Sequence, residues 1–294
     1  MLILVGVSVT VTLYGGLFEK AKDAANKTEL AREEEKKQHE ATILVEYYNE
    51  KAKGTTEAES VEEYVLEKNG VEIGDTVTNY TAGGYTWQVL GVENGKLLLT
   101  TSTTIGDGYT LTASAEKWDD TNKKFTALEN ELDGLFEKGN AETNPYYIDK
   151  GANAERIRSI KIEDINRVCN FTPPPVGEPI TVSGTMPNGE SSMTLTDTSY
   201  YYSGDLLGKT SKAYIMLFGT DSSKLNYWTS SSYTRPNAST TYFGLRFIGY
   251  GSVYDTQEPL WISVIGGMSL TRAVRPVAVM SPDFQPAIAT EENV

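Results

Sequence analysis

Residues 86–101 read Thr86-Trp-Gln-Val-Leu-Gly-Val92, Glu93-Asn-Gly95 and Lys96-Leu-Leu-Leu-Thr-Thr101. Two apolar, strand-like runs flank an Asn-Gly pair. That pair is a strong short-range hairpin signal, because Asn and Gly tolerate the positive φ that a two-residue hairpin turn requires. The spacing predicts an antiparallel hairpin and sets a β-rich tone for the chain around it.

Toward the C-terminus the pattern mixes short helices with strands. Ala127–Lys138 is expected to form an amphipathic helix despite Gly134, and Lys161–Val168 a second, shorter one. Pro173 to Pro175, with the Gly, Ser, Thr and Asn that follow, predict an irregular region to about Thr198. From Tyr200 the sequence reads as strands, turns and aromatics ending at Val279, and Ser281–Val294 reads as a loose tail.

Toward the N-terminus the character changes. Met1–Tyr14 is almost wholly apolar, but fourteen residues are fewer than the roughly 20 that a membrane-crossing helix needs. Good helix formers then continue without proline to Lys53, with Glu19 and Lys22, Glu29 and Arg32, and Glu33 and Lys37 at pairing distance on one helix. The polar middle of this run is not that of a buried core helix. We expect the end of a longer apolar helix running into a stalk. Gly54–Ser60 would then be a linker and Val61–Lys68 a short helix opening the head. The fold class expected is α+β: an N-terminal helical stalk over 1–53, a β-rich head over 61–280 and a flexible tail over 281–294.

Composition narrows the chemistry. The chain of 294 residues carries a formal charge of −14, which disfavours nucleic acid as a partner. Cys169 is the only cysteine, so no internal disulfide or thiolate metal cluster can form, and His39, the only histidine, sits in a charged helical run, which argues against a Ser-His-Asp, Cys-His or multi-His site. The expectation is no catalysis, no metal and no cofactor. Asp119 and Asp120, Glu129 with Glu131 and Asp133, and Glu163 with Asp164 lack the alternating-oxygen loop of an EF-hand and read as solvated faces. Gly83-Gly84 and Gly106-Asp-Gly108 are turn glycines without a P-loop lysine. Trp228 is expected in a core, and Arg272 and Arg275 as an internal structural pair.

Two resemblances add to this reading. Leu2–Gln38, LILVGVSVTVTLYGGLFEKAKDAANKTELAREEEKKQ, resembles the prepilin-type helices of Gram-positive surface proteins. This implies export, a membrane contact through the apolar helix, and assembly as a homo-oligomer or filament at the bacterial cell surface. Val71–Val279 is similar to a widespread bacterial extracellular domain of unassigned function. The matching words are Gly74-Asp75, Thr86–Leu90, Ala154–Arg158, Lys161–Ile165, Tyr227–Ser231, Tyr242–Arg246, Gly251–Tyr254 and Ala273–Val277. Trp228 and Val274-Arg275-Pro276, in that order, also resemble C-type-lectin-like and formylglycine-generating-enzyme-like domains, which implies a lectin-like module over about 200–280.

Some relatives of this kind are diversified by retroelements that leave a fixed scaffold with scattered polar and aromatic positions. Here Trp228, Arg246 and Arg275 belong to scaffold words. The interspersed positions are Ser232, Tyr233, Arg235, Asn237, Ser239, Thr240, Tyr250, Ser252, Asp255, Thr256, Gln257, Glu258 and Trp261. Ser230–Tyr254 is poor in Val, Ile and Leu, and its polar–aromatic mixture suits a recognition surface. The function expected is a pilin-like adhesin binding a protein or glycan ligand at these positions. A purely structural filament or phage-particle subunit is the alternative. An enzyme like the formylglycine-generating family is a third reading, against which the lone Cys169 argues.

Overall fold

A computed structural model describes residues 3–220, 222–237, 239–254 and 259–289. The chain divides into two compact units, Met1–Tyr64 and Val65–Val294. In the first, helix α1 (Ile3–Lys53) runs without a break, as the proline-free sequence predicts. The side chains of Met1–Tyr14, on which the expected anchoring role falls, lie outside the described residues. Among the described residues no helix is long and apolar enough to cross a membrane.

The segment 54–60 is more than a spacer. It folds back so that Ala58 is buried with Tyr47 and Tyr64, and the Ala58 carbonyl accepts from Tyr47 Oη at 3.3 Å and Lys51 Nζ at 2.5 Å. Helix α2 (Val61–Asn69) starts where Ser60 Oγ accepts from Glu63 N, the ordinary N-cap use of serine. The boundary between the two units falls inside α2.

The second unit is mixed α+β and mostly β. Strands β1 (Trp87–Glu93) and β2 (Lys96–Thr101) form the expected hairpin. Asn94 and Gly95 both take positive φ, 54° and 75°, the type I′ signature. Further strands are β3 (Ile105–Thr112), β4 (Ala154–Ser159), β5 (Ile180–Ser183), β6 (Ser192–Leu195), β7 (Tyr227–Arg235), β8 (Tyr242–Gly249), β9 (Ser252–Tyr254), β10 (Ser269–Val274) and β11 (Pro276–Met280). Helices α3 (Thr126–Asp133), α4 (Ile162–Val168) and α5 (Lys212–Phe218) interrupt them.

One sheet is antiparallel, with Thr76–Val77 beside β1, then β2, β11 and β4. The other places Trp261–Ile262 beside β8, then β7, β10 and β3, with β9 also on β8. The pairing of β7 with β10 is parallel. The chain passes between the sheets four times: from β2 to β3, from β3 to β4, from β4 by way of the β5–β6 hairpin to β7, and from β10 to β11. The core holds Leu90, Leu98 and Val277 of the first sheet, Tyr227 and Ile248 of the second, and Ile162, Ile165, Leu217 and Phe218 from α4 and α5. Each such apolar side chain, fully buried, stabilises by about 1.5–3 kcal/mol relative to exposure.

Arg275 sits at the β10–β11 crossing and is fully buried. Its Nε and Nη2 donate to the Thr101 carbonyl at 3.1 and 2.6 Å, and Nη1 reaches Leu217 O and Tyr227 Oη at 3.4 Å each. Its guanidinium therefore ties both sheets and α5 together, and burial pulls its pKa down. The expected Arg272–Arg275 structural role holds, but each uses different partners. Arg272 lies 3.5 Å over the Phe247 ring and donates to Asn226 Oδ1 at 2.5 Å.

Four expectations are corrected. The helix expected over Ala127–Lys138 ends at Asp133, and Gly134 caps it. The region expected to be irregular contains the β5–β6 hairpin, with Ile180 opposite Leu195. α5 interrupts the segment read as strands and turns; Ser211 Oγ accepts from Tyr214 N at 3.1 Å and so caps a helix in an apolar run too short to show its period. The tail is docked through residue 289: Phe284 is buried, Thr78 N donates to Ala287 O at 2.7 Å, Ala289 N donates to Thr76 O at 2.9 Å, and Ile288 bridges Val77. Residues 290–294 lie outside the described residues.

Candidate functional site

The register of β7 against β8 breaks in its middle. Trp228 faces Phe247, and the next regular pair is Ser232 with Leu245, so β7 spends two extra residues on this stretch. Bulges of this kind re-aim side chains. Here Ser230 N donates to Ile160 O at 3.0 Å, away from β8, and Thr229 Oγ1 satisfies the Arg246 carbonyl at 2.9 Å.

The bulge turns three successive serines toward α3 and α4, and each meets a carboxylate. Ser230 Oγ donates to Asp133 Oδ1 at 3.1 Å and Ser231 Oγ to Glu163 Oε2 at 3.2 Å. The backbone N–H of Ser232 donates to Glu129 Oε1 at 2.8 Å. Glu129 and Asp133 stand four apart on α3, so they share a face, while Leu128 and Leu132 fill the core. Lys124 lies 2.7 Å from Glu129, and Arg156 and Lys161 lie 3.1 and 3.8 Å from Asp133.

Beneath this rim is a buried ion pair. Arg158 Nη1 and Nη2 donate to Asp164 at 2.7 and 2.9 Å, with both side chains 1% exposed. Burial works against the Arg158 charge, but Asp164 outweighs it and the guanidinium holds its proton more tightly than usual. Asp164 also accepts from Lys161 N at 2.9 Å, which fixes the start of α4. Ser231 Oγ accepts in turn from Ile162 N at 3.0 Å.

These elements enclose a cleft of about 700 Å³, within the roughly 300–1,000 Å³ of small-molecule sites. Its lining carries four carboxylates (Glu93, Glu129, Asp133, Glu163) against four cations (Lys123, Lys124, Lys161, Arg246), together with hydroxyls from Thr194 to Thr198 and Ser230 to Thr234. Leu195 and Tyr233 are its only large apolar side chains, and both are buried. Arg246, 4% exposed, donates through Nη1 to Ser232 O at 2.5 Å and through Nη2 to Thr198 O, and stacks 4.4 Å over Tyr200. Such a cleft can match a dense set of donors and acceptors on a ligand without net charge.

Asp119 anchors the loop that leads into the rim. Its carboxylate accepts from Asn122 Nδ2 at 2.7 Å, from Asn122 N and Thr121 N at 3.0 Å each and from Thr126 Oγ1 at 2.8 Å. Led by the Asn122 side-chain bond, these hold its pKa down to about 2. Among the described residues no group of three His, Cys, Asp or Glu is placed to hold a metal ion. Cys169 is buried, and burial pushes its thiol up to about 11.

The expected binding positions do not share one surface. Ser232 and Tyr233 line the cleft. Arg235, Asn237 and Ser239 are exposed around the β7–β8 connection, with Thr240 half-buried, and Asn237 Oδ1 accepts from Ser239 N at 3.3 Å. Tyr250 is 75% exposed at the β8–β9 turn. Asp255, Thr256, Gln257 and Glu258 lie outside the described residues.

Three positions expected to face a ligand are buried: Tyr233, Ser252 and Trp261. Trp261 Nε1 donates to Thr185 O at 2.9 Å, Ser252 Oγ accepts from Tyr201 Oη at 3.3 Å, and the Tyr233 ring packs against Gly244, where a Cβ would come within 2.9 Å. The polar composition of Ser230–Tyr254 thus belongs largely to buried strands, in which the hydroxyls of Ser230, Ser231, Thr234 and Ser252 find partners inside the protein. Trp228 is fully buried as expected, with Nε1 on Tyr109 O at 3.1 Å, and Arg246 and Arg275 are buried scaffold.

The acidic clusters are corrected in part. Asp164 is buried and ion-paired rather than solvated, and Glu129 and Asp133 are half-buried in the cleft wall, whereas Glu163 at the cleft and Asp120 are exposed as expected. The i, i+4 spacing of Glu129 and Asp133 on an amphipathic helix was the available signal; nothing local indicated that β7 would bulge toward them. Compared with protein-family models, curated proteins and solved structures, the chain matches none.

Proposed function

We propose that this protein is a non-catalytic ligand-binding protein displayed at a bacterial cell surface or on a filament. Its head takes a small polar ligand of no net charge in the cleft at the β7 bulge. The observation that carries this reading is the bulge itself: two extra residues break the β7–β8 ladder and set Ser230, Ser231 and Ser232 against Asp133, Glu163 and Glu129. The balanced lining favours a neutral or zwitterionic ligand over a phosphate or a bare cation, and the scarcity of apolar wall argues against a lipid.

The remainder of the reading rests on the resemblances. In it the C-terminal half is a lectin-like module, Met1–Tyr14 is the end of an apolar anchoring or assembly segment, and the head stands outside the cell. The continuous helix α1 is consistent with a stalk. A deletion of Met1–Tyr14 that abolishes assembly or membrane association but leaves ligand binding intact is the result expected of separate display and binding roles.

The test of the cleft uses the full-length chain and a panel of neutral monosaccharides, disaccharides, amino acids and dipeptides, read by thermal shift and calorimetry. A panel member should raise the melting temperature of the wild type, and Glu129→Gln with Ser230→Ala should abolish the effect. Binding that survives both substitutions, or a panel without any binder, overturns the assignment.

A further inference from the structure

β8 and β9 are joined by a two-residue turn closed by the pair Gly249 and Ser252. Its central residues, Tyr250 and Gly251, both have positive φ, 49° and 79°. The type I′ geometry favours Asn, Asp or Gly at both positions. Tyr250 meets the left-handed requirement with a bulky side chain, which is strained. It nevertheless projects into solvent and is 75% exposed, so packing in a core does not explain its presence.

Its neighbours are aromatic. The Tyr250 ring meets Tyr254 edge-on at 6.3 Å and 87°, and Tyr201, 57% exposed, tilts against Tyr254 at 5.3 Å. Tyr254 is stacked on buried Phe247 at 5.3 Å and 13°, and Phe247 carries the Arg272 guanidinium at 3.5 Å. The Tyr201 hydroxyl is set by Ser252 Oγ. Tyr201 and Tyr250 thus stand exposed around half-buried Tyr254, whose ring rests on Phe247, at the sheet edge where β9 pairs with β8 and Tyr202–Ser203.

We propose that Tyr201, Tyr250 and Tyr254 form a carbohydrate-binding platform, separate from the cleft, that stacks on the C–H faces of neutral sugar rings. Tyrosine supplies a flat apolar face with a hydroxyl at its edge, which complements a pyranose with its apolar face and hydroxyl rim. A protein partner fits less well by size. Three aromatic side chains cover about 150–250 Å² each at most, short of the roughly 800 Å² per partner of a stable protein interface. The charge of −14 disfavours an anionic membrane or a polyanionic glycan.

The experiment compares the full-length wild type with Tyr250→Asn, Tyr201→Ala and Ser230→Ala on arrays of neutral oligomers of glucose, N-acetylglucosamine, galactose and mannose. Melting temperatures are measured in parallel. Asn suits the left-handed turn, so Tyr250→Asn should melt at or above the wild-type temperature while binding at least tenfold more weakly. Tyr201→Ala should weaken binding, and Ser230→Ala should leave it unchanged. Equal binding by wild type and Tyr250→Asn, or a clear fall in melting temperature on that substitution, overturns the proposal. So does retention of no neutral glycan. Loss with Ser230→Ala alone places the sugar in the cleft, which also overturns the platform while supporting the cleft reading.

Discussion

The cleft and the tyrosine surface lie on the same sheet but are built by opposite means. At the cleft, hydroxyls and charges are held by one another: three serines on three carboxylates, with the Arg158–Asp164 pair buried beneath. At the β8–β9 turn, rings rest on rings and the exposed residue is held in a strained backbone. The first arrangement should fail when a partner is removed. The second should tolerate, or gain stability from, removal of the residue that matters most. Polar networks become costly when partly satisfied, whereas an exposed side chain at positive φ stabilises nothing by being there.

The largest effect expected to separate the two is Asp164→Ala. It leaves the Arg158 charge buried without its main partner, a loss of about 3–5 kcal/mol, and frees the start of α4. Chemical denaturation should show the drop in stability, and cleft ligands should no longer bind. Next, Ser231→Ala strips the acceptor from Ile162 N, a buried donor, at a cost of about 1–3 kcal/mol. The glycan interaction of the tyrosine surface should persist in this variant, and a parallel loss there would erase the distinction between the two regions.

Tyr250→Asn has a smaller effect and the opposite sign. Relief of the left-handed strain should stabilise by up to about 1–2 kcal/mol, measurable as a rise in the denaturation midpoint. The smallest effect is that of acid. Asp119 has a folded pKa below its ordinary value of 3.8, so its contribution is complete above that pH and is lost as pH falls through about 2. Over that window the 119–126 loop should loosen and cleft binding should weaken. Burial pushes the Tyr254 phenol above its ordinary range, so its nuclear magnetic resonance signals should keep their positions over this acid window.

The two regions also differ in how far the sequence announced them. The β1–β2 hairpin was legible because Asn94-Gly95 carries its own backbone requirement. Tyr250 was legible as a candidate residue, though not for its strain, since a tyrosine before a glycine gives no local sign of left-handed geometry. The cleft was nearly invisible. Tyr-Trp-Thr-Ser-Ser-Ser-Tyr-Thr-Arg alternates neither in the way of a half-buried strand nor of a helix, because its middle leaves the ladder. The partners of its serines come from about 70 to 100 residues earlier in the chain, so only the tertiary fold brings them together. Hydroxyl-rich strands read as surface until the packing around them is known, and so Tyr233 and Ser252 were expected outside and lie inside.

The chain crosses from β10 to β11 at Arg275, and β11 takes its place between β2 and β4. This order has a consequence for how the protein is made. A ribosome delivers β2 some 175 residues before the strand that pairs with it, and β4 more than a hundred before. Neither sheet is complete until Ser269–Met280 has emerged, because β10 and β11 supply one strand to each. Pairings this distant in sequence are slow to form. During synthesis the head therefore remains a set of hairpins without a closed core, and it becomes a folded body only at the end of its own translation.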